Sequence, residues 1–153
     1  MQTMVKKIDY KKQGKKNRAA GRRFETKVRK DLEDKGFICS KWQNTIKEGK
    51  CVPAKPGKFR MMQTGFPDFI CFKTIDRVKA NVWEGEEPNI VYFPFGNYYE
   101  VIGVEVKSNG YMSKEEKEKA IFYLNNNYCS KFLIASKGEK RGTIKYTEFK
   151  TTN

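Results

Sequence analysis

The chain of 153 residues carries 32 lysine and arginine residues against 18 aspartate and glutamate residues, a net charge of +14. This charge predicts a polyanionic partner, nucleic acid before an anionic membrane, and no apolar run approaches the roughly 18 residues of a membrane span. Four scattered cysteines and no histidine argue against a zinc site and exclude histidine-based mechanisms. We expect a soluble, cytoplasmic protein with one core and no membrane partner, whose chemistry relies on carboxylates, lysine or a hard cation.

Residues 1 to 23 form a basic segment with nine lysine or arginine residues and one acid, Asp9. Because it has few large apolar groups, it cannot offset the entropy of ordering, and we predict a flexible arm over residues 1–20 that becomes ordered on a phosphate backbone. A solubilising tail or a localisation signal is the alternative. The candidate DNA contacts here are Lys15, Lys16, Arg18, Arg22 and Arg23.

From about Arg22 the pattern becomes helical, because an apolar residue recurs every four positions from Phe24 to Leu32 and Gly36 stands where a left-handed cap belongs. Glu25 lies about 100° round this helix from Phe24, next to the core face. Taken alone, a glutamate at this position is typical of a surface residue or of a partner for a nearby arginine.

Residues 37 to 42 predict the first strand, and residues 43 to 64 predict a long basic loop. Long loops in compact domains are usually functional or disordered. Trp42 is suited either to stacking on a base or to packing in the core. The candidate DNA contacts of this region are Lys41, Lys55, Lys58 and Arg60.

The next two strands are predicted over residues 66 to 72 and 100 to 107. Between them, residues 74 to 99 alternate poorly and contain many turn residues, which indicates an insertion, in the form of a hairpin or a protein interface. Asp68 lies in the earlier strand. In the later one, strand alternation places Glu105 and Lys107 on one face.

A turn at Asn109-Gly110 precedes a predicted helix, whose start is marked by the capping box of Ser113 and Glu116. Lys114, in its first turn, is a further candidate DNA contact. A strand over 132 to 135 and an edge strand over 143 to 149 follow. The order helix, three strands, helix, two strands predicts the α/β class, with a mixed β-sheet flanked by helices over residues 21–153.

Pro67-Asp68 followed by Glu105-Val106-Lys107, with Glu25 on a preceding helix, resembles the signature of the PD-(D/E)XK nuclease superfamily. Segments 65–70, 105–108, 112–116 and 132–136 look like those of virus-type replication-repair nucleases (VRR-NUC), and the helix from Arg22 to Phe37 is similar to that of archaeal Holliday junction resolvases. The resemblance implies a restriction-endonuclease-like core with insertions at about 43–64 and 74–99.

The same resemblance implies a DNA endonuclease of the Holliday junction resolvase type, which would act as a homodimer on branched DNA in recombination or repair. A viral or archaeal source would fit. A less selective nuclease or nickase of viral or mobile-element replication is one alternative. A DNA-binding protein that keeps the fold without catalysis is the other.

The resemblance also assigns catalytic roles to four residues. Asp68 and Glu105 would hold Mg²⁺ or Mn²⁺, for which hard carboxylate oxygens are suitable ligands. The main-chain carbonyl of Val106 would be a further ligand, and Glu25 would join directly or through water. Lys107 would orient or deprotonate the attacking water, and the cation beside it would lower its pKa.

Several of these residues also have structural interpretations. Glu116 stands where related nucleases carry a glutamine, so a role for Ser113 and Glu116 in positioning phosphate stays open beside their role as a helix cap. Asp68 is also suited to a turn after proline. Glu105 and Lys107 also suit an ion pair within the sheet.

Overall fold

The computed structural model describes residues 9–55, 65–83 and 88–151, with side chains described there except at 78–83, 88–89 and 92–95. Its elements in chain order are α1 (Tyr10–Asp34), β1 (Ile38–Lys41), β2 (Asn44–Lys47), β3 (Lys50–Pro53), β4 (Phe69–Trp83), β5 (Pro88–Val106), α2 (Lys114–Asn125), β6 (Lys131–Lys137) and β7 (Ile144–Phe149). Five strands form one sheet in the order β1-β4-β5-β6-β7. Only the β5–β6 pairing of that sheet is parallel, which confirms the predicted α/β class and mixed sheet.

Helix α1 begins at Tyr10, twelve residues before the predicted start at about Arg22. Asp9 is its N-cap, because a carboxylate oxygen accepts hydrogen bonds from the amides of Lys11 and Lys12, each at 3.1 Å. A cap of this kind satisfies amides that the helix leaves unpaired. The backbone of residues 10 to 20 is therefore helical rather than the flexible arm that the sequence predicted; residues 1 to 8 lie outside the described residues.

The C-terminal half of α1 packs on one face of the sheet. Val28 and Leu32 are buried against Cys39, Phe69 and neighbouring strand residues. The predicted cap is confirmed, since Gly36 has a φ of +88°, a conformation that glycine adopts without a Cβ clash.

Helix α2 covers the opposite face of the sheet, and successive residues of β4 alternate between the two faces. Phe69 belongs to the cluster beneath α1, whereas the adjacent Ile70 packs against the cluster around Tyr123 and Phe132. The capping box is confirmed: Ser113 Oγ accepts from the amide of Glu116, and the Glu116 carboxylate accepts from the amide of Ser113. The edge position predicted for the last strand is also confirmed by β7.

The predicted long loop after β1 contains a β-hairpin. Strands β2 and β3 pair from Asn44↔Pro53 to Lys47↔Lys50. Glu48 and Gly49 join them with φ values of 50° and 67°, which is the left-handed geometry of a two-residue hairpin turn. The loop prediction is thus wrong for residues 44 to 53, and residues 56 to 64 lie outside the described part of the chain.

Between the predicted second and third strands, β4 and β5 continue as one antiparallel ribbon. Pairing runs from Phe69↔Val104 outward to Trp83↔Pro88, with irregularities after Thr74 and after Arg77. The hairpin form considered for residues 74 to 99 fits this ribbon, and residues 84 to 87 at its tip are outside the description. Neither described helix is long and apolar enough to cross a membrane.

Candidate active site

Asp68 and Glu105 lie side by side where β4 begins and β5 ends. Phe69 pairs with Val104, so the next positions along the two antiparallel strands are these two carboxylates. They are 8% and 6% exposed. Glu105 Oε2 accepts from the amide of Asp68 at 3.1 Å, and Asp68 Oδ2 accepts from the amide of Val106 at 2.9 Å. One oxygen of each carboxylate is therefore fixed by the main chain.

The segment before Asp68 is held against the start of the β2 hairpin. The amide of Trp42 donates to the carbonyl of Asp68 at 3.0 Å, and the amide of Phe66 donates to the carbonyl of Asn44 at 2.8 Å. A Cβ on Gly65 would lie 2.5 Å from the carbonyl oxygens of Trp42 and Asn44. Only glycine fits this approach, which sets the position of the aspartate.

A second glycine allows close packing under the two carboxylates. A Cβ on Gly103 would lie 2.9 Å from the ring of Phe132. That ring stacks on Phe66, with 5.5 Å between centroids. The Tyr123 hydroxyl donates to the carbonyl of Phe66 at 2.7 Å, so helix α2 also fixes the segment that precedes Asp68.

Lys41 connects Glu25 on α1 with Asp68. Its Nζ lies 2.7 Å from Glu25 Oε2 and 3.3 Å from Asp68 Oδ1. Glu25 and Lys41 are each about one-third exposed, whereas Asp68 is much less so. Glu25 thus lies next to the predicted site and is linked to Asp68 through the ammonium of Lys41, and its role as a metal ligand stays a prediction.

Lys107 has the same arrangement on the other side of the carboxylate pair. Its Nζ lies 3.2 Å from Glu105 Oε1 and 2.5 Å from Glu116 Oε1. The other oxygen of Glu116 accepts from the amide of Ser113 at 2.8 Å. Glu116 is therefore both the helix cap and a partner of Lys107, and the role of Ser113 and Glu116 in positioning phosphate stays a prediction.

These contacts join six side chains, which we call the site cluster: Glu25, Lys41, Asp68, Glu105, Lys107 and Glu116. Four carboxylates share two ammonium groups, so the cluster has an excess of negative charge in a protein of net charge +14. Burial raises the pKa of Asp68, against the hydrogen bond from Val106 and the charge of Lys41. Burial and the charge of Asp68 raise the pKa of Glu105 to about 8.

The pKa values of both lysines are raised. Burial lowers the pKa of Lys107, but its hydrogen bond to Glu116 and the charge of Glu105 raise it by more. Burial likewise lowers the pKa of Lys41, and its contacts with Glu25 and Asp68 outweigh that effect. These directions apply to the protein without a bound cation, in which two carboxylates stabilise the charged form of Lys107, and the lowering expected beside a cation stays a prediction.

The oxygens of the Asp68 and Glu105 carboxylates are of the type that a hard divalent cation prefers. Asp68 Oδ1 and Glu105 Oε1 are the oxygens that face the two ammonium groups, so each already lies against positive charge. Within the described ranges, no three or more cysteine, aspartate or glutamate residues are arranged as a metal-binding group. The fit therefore rests on two carboxylates, and Glu25 has Lys41 between it and Asp68.

The candidate DNA contacts are spread over three regions. The five on α1 and Lys114 at the start of α2 are exposed, as is Lys55 after β3. Lys58 and Arg60 lie outside the described residues. Lys41 differs, because its ammonium is held in the site cluster. DNA binding by this set stays a prediction.

The sequence reasoning missed the role of Lys41 in the site. One signal could have identified it: Lys41 has the same strand parity as the buried Cys39, so it faces helix α1 and Glu25. Trp42 has the core role of its two interpretations, since its Nε1 donates to the Tyr123 hydroxyl at 2.7 Å. Glu25 pairs with Lys41, and the nearby Arg29 pairs with Glu33 instead.

Comparison of the chain with protein-family models, with curated proteins and with solved structures finds no match. The resemblance to nucleases therefore remains an expectation from the motifs.

Proposed function

We propose that the protein is a divalent-metal-dependent endonuclease that hydrolyses phosphodiester bonds in DNA. The observation that carries the proposal is the pair of buried carboxylates, Asp68 and Glu105, each fixed by one main-chain amide and each facing a lysine ammonium. Two adjacent buried carboxylates are costly unless positive charge lies beside them. Phosphodiester hydrolysis needs positive charge at the same kind of place, next to the reacting phosphate.

Asp68 and Glu105 would hold Mg²⁺ or Mn²⁺, with the Val106 carbonyl and Glu25 as further candidate ligands. The amide of Val106 donates to Asp68, so this peptide lies beside the carboxylate pair. A bound cation would supply positive charge at the scissile phosphate and at the attacking oxygen.

The protein's own residues would perform the remaining steps. Lys107, held by Glu105 and Glu116, orients the attacking water and donates a hydrogen bond to the negative charge that develops on phosphate. Lys41 has only one described contact shorter than 3 Å, with Glu25, so it can turn from Asp68 toward a substrate phosphate. Glu25 then keeps that lysine at the site.

We also propose that the fold is a restriction-endonuclease-like core. Its support is the placement of the two motif carboxylates, with Asp68 directly before β4 and Glu105 in the neighbouring β5, and with α2 connecting β5 to the parallel strand β6. By the resemblance, the substrate would be branched DNA of the Holliday junction kind. A homodimer would supply the two active sites that symmetric cutting requires.

A DNA-binding protein without catalysis is the second candidate, and one observation favours it. Each motif carboxylate already has a lysine partner: Asp68 pairs with Lys41 and Glu105 with Lys107. Such pairs satisfy buried charge without a cation, so they also suit a purely structural role.

The two candidates are separated by cleavage of labelled four-way junction, flap, duplex and single-stranded DNA with Mg²⁺ or Mn²⁺. Wild type is compared with Asp68→Asn, which keeps the side-chain shape and an oxygen for the Val106 amide. We expect wild type to cut the junction and the variant to cut it more than about 100-fold more slowly. About 100-fold is the upper limit for changing a residue that only supports a metal ligand. Wild type that binds DNA but never cuts it, like the variant, would overturn the nuclease proposal.

A further inference from the structure

The N-terminal half of α1, residues 10 to 23, is strongly basic. It contains seven lysine or arginine residues and no acid. All seven are exposed, and the buried residues of α1 lie further along, at Val28 and Leu32. Among the described residues, nothing lies within 4 Å of a Cβ placed on Gly14 or Gly21. This half of the helix therefore has no packing partner in the described part of the chain.

The seven cations fall on two faces of the helix. At about 100° per residue, four of them occupy a strip about 60° wide, which we call the α1 stripe. The α1 stripe consists of Lys11, Lys15, Arg18 and Arg22. The other three lie about 110° further round the helix, on the side away from Glu25, and we call that side the opposite face: Lys12, Lys16 and Arg23.

The α1 stripe lies on the same side of the helix as the site cluster. By the same count, Glu25 is about 50° from the centre of the stripe and about 160° from the centre of the opposite face. Glu25 contacts Lys41, which contacts Asp68, so the side of α1 that carries Glu25 faces the site cluster. At 1.5 Å per residue, the stripe begins about 5 Å from Glu25 and ends about 21 Å from it.

The local geometry also suits a phosphate chain. Lys15, Arg18 and Arg22 border a shallow groove that Ala19 and Arg23 complete. Arg23 is turned along the helix, and its Nε donates to the carbonyl of Ala19 at 3.2 Å. Within the described residues, no member of the α1 stripe forms an ion pair, which leaves four cations for an external anion.

We infer that the α1 stripe binds the phosphate backbone of DNA where it leaves the site cluster, so that the substrate must extend about 20 Å past the scissile phosphate on the α1 side. This inference rests on the proposed nuclease function and adds direction and length to it. At 3.4 Å per base pair, the required arm is about six base pairs. A DNA whose end lies closer than this to the scissile phosphate loses its contacts with the α1 stripe.

An anionic membrane is the other polyanion, and the helix does not suit it. A helix that lies in a membrane surface needs large apolar residues beside its cations. The positions that continue the buried face of α1 toward its N-terminus are instead Tyr10, Gly14, Asn17 and Gly21. One tyrosine among small and polar residues offers little apolar area for insertion.

The chain provides a matched pair of variants to test the face. Lys11→Gln with Lys15→Gln removes two charges from the α1 stripe, whereas Lys12→Gln with Lys30→Gln removes two exposed charges that lie at one angle on the opposite face of α1. Lysine and glutamine have similar helix propensities, so both variants should keep the helix. Circular dichroism checks this.

Binding is measured with uncut labelled duplex in EDTA over a series of salt concentrations. The stripe variant should bind about tenfold more weakly near 0.15 M salt, with a slope of log affinity against log salt reduced by about 2, and the opposite-face variant should bind within about twofold of wild type. An equal loss in both variants, or no loss in either, would overturn the inference. Stripe-dependent binding to phosphatidylserine vesicles with unchanged DNA binding would overturn it as well.

The length requirement is tested with junctions whose arms are shortened from about twelve base pairs to about three. Wild type should lose affinity when the arm on the α1 side is shortened, and the stripe variant should lose its dependence on arm length. A length dependence that persists in the stripe variant would overturn the assigned path. Both binding tests use EDTA, so they decide this inference even if wild type cuts nothing, a result that would overturn the proposed function instead.

Discussion

The described part of the protein has two concentrations of charge that differ in sign, burial and pairing. The site cluster has four carboxylates for two lysines at the end of the sheet, and its central pair is almost fully buried. The α1 stripe has four exposed cations and no acid among residues 10 to 23. The first has an excess of negative charge and the second an excess of positive charge.

The difference shows which charged side chains have partners within the protein and which are left for a ligand. Every buried side-chain nitrogen or oxygen in the described residues has a hydrogen-bond partner. The site cluster is thus satisfied by its own hydrogen bonds while its net charge still favours a cation. The α1 stripe has no such internal compensation. Its neighbouring cations repel one another, and a bound polyanion would relieve that repulsion.

The largest expected effect comes from removing the lysine that faces Glu105. Lys107→Met should lower the cleavage rate about 100-fold or more, the range for losing one positioned hydrogen-bond donor to developing negative charge, with DNA affinity within about threefold of wild type. The matched control is Lys119→Met, because Lys119 also pairs with a glutamate on α2, Glu115, at 2.7 Å and is similarly half-buried. Equal rates for the two variants would remove Lys107 from the mechanism.

A smaller effect is expected from the lysine between Glu25 and Asp68. Lys41→Met leaves the two carboxylates without their shared ammonium and should lower the free energy of unfolding by about 1–2 kcal/mol in EDTA. Saturating Mn²⁺ should then stabilise the variant more than wild type, since a cation replaces the lost charge. Thermal unfolding with and without Mn²⁺ measures both quantities.

Lys73→Met is the control for this change. Lys73 donates to the carbonyl of Lys35 at 2.8 Å rather than to a carboxylate, so its loss should not alter the response to Mn²⁺. If Lys41→Met and Lys73→Met respond equally to Mn²⁺, the Lys41 ammonium does not stand where a cation binds.

The smallest expected effect is that of Glu116→Gln. Glutamine can still cap α2, but it loses the ion pair with Lys107, so the free energy of unfolding should fall by about 1 kcal/mol or less at neutral pH. Burial raises the pKa of Glu116, and its hydrogen bonds to Lys107 and Ser113 lower it by more, to a net value below the ordinary one. The carboxylate therefore contributes stability above its unfolded pKa, and the contribution is lost as pH falls through the folded pKa.

Urea unfolding of wild type and Glu116→Gln at pH 7 and below pH 4 checks this sign. The difference should be present at pH 7 and should disappear in acid. Glu115→Gln, whose carboxylate is mostly exposed, is the control and should change stability by only a few tenths of a kcal/mol. A difference for Glu116→Gln that grows in acid would contradict the assigned hydrogen bonds.

Much of the fold could be predicted because the signals are local. Gly36 marks the end of α1, Ser113 with Glu116 marks the start of α2, and apolar alternation marks the central strands. The start of α1 was not found, because seven cations without apolar spacing resemble a disordered segment. Asp9 caps the helix, and its hydrogen bonds to two backbone amides could not be predicted from composition.

The hairpin of β2 and β3 was missed for a different reason. Its turn, Glu48-Gly49, is one of the less usual pairs for a two-residue hairpin, where Asn-Gly or Asp-Gly is the common signal. The four-residue strands on either side are too short for a clear alternation. The sequence therefore indicated a basic loop where the protein has paired strands.

In the site, the carboxylate pair and Lys107 were predicted from the sequence, whereas the contact of Lys41 with that pair was not. Asp68 and Glu105 lie together because two recognisable strands pair, which depends on local patterns. Lys41 comes from a third strand and Glu25 from a helix, so their contact depends on how α1 crosses the sheet. Spacing along the chain does not contain that crossing, and strand parity indicates only that Lys41 lies on the same side of the sheet as Cys39.

The most direct test of the account is Mn²⁺ binding to the protein without DNA, measured by the electron paramagnetic resonance signal of free Mn²⁺. We predict that wild type and the variant with Lys12→Gln and Lys30→Gln bind Mn²⁺ alike, and that Asp68→Asn and Glu105→Gln each bind it at least about tenfold more weakly, because each removes an anionic ligand. Equal Mn²⁺ binding by wild type, Asp68→Asn and Glu105→Gln would contradict the claim that the buried carboxylate pair is a divalent-cation site.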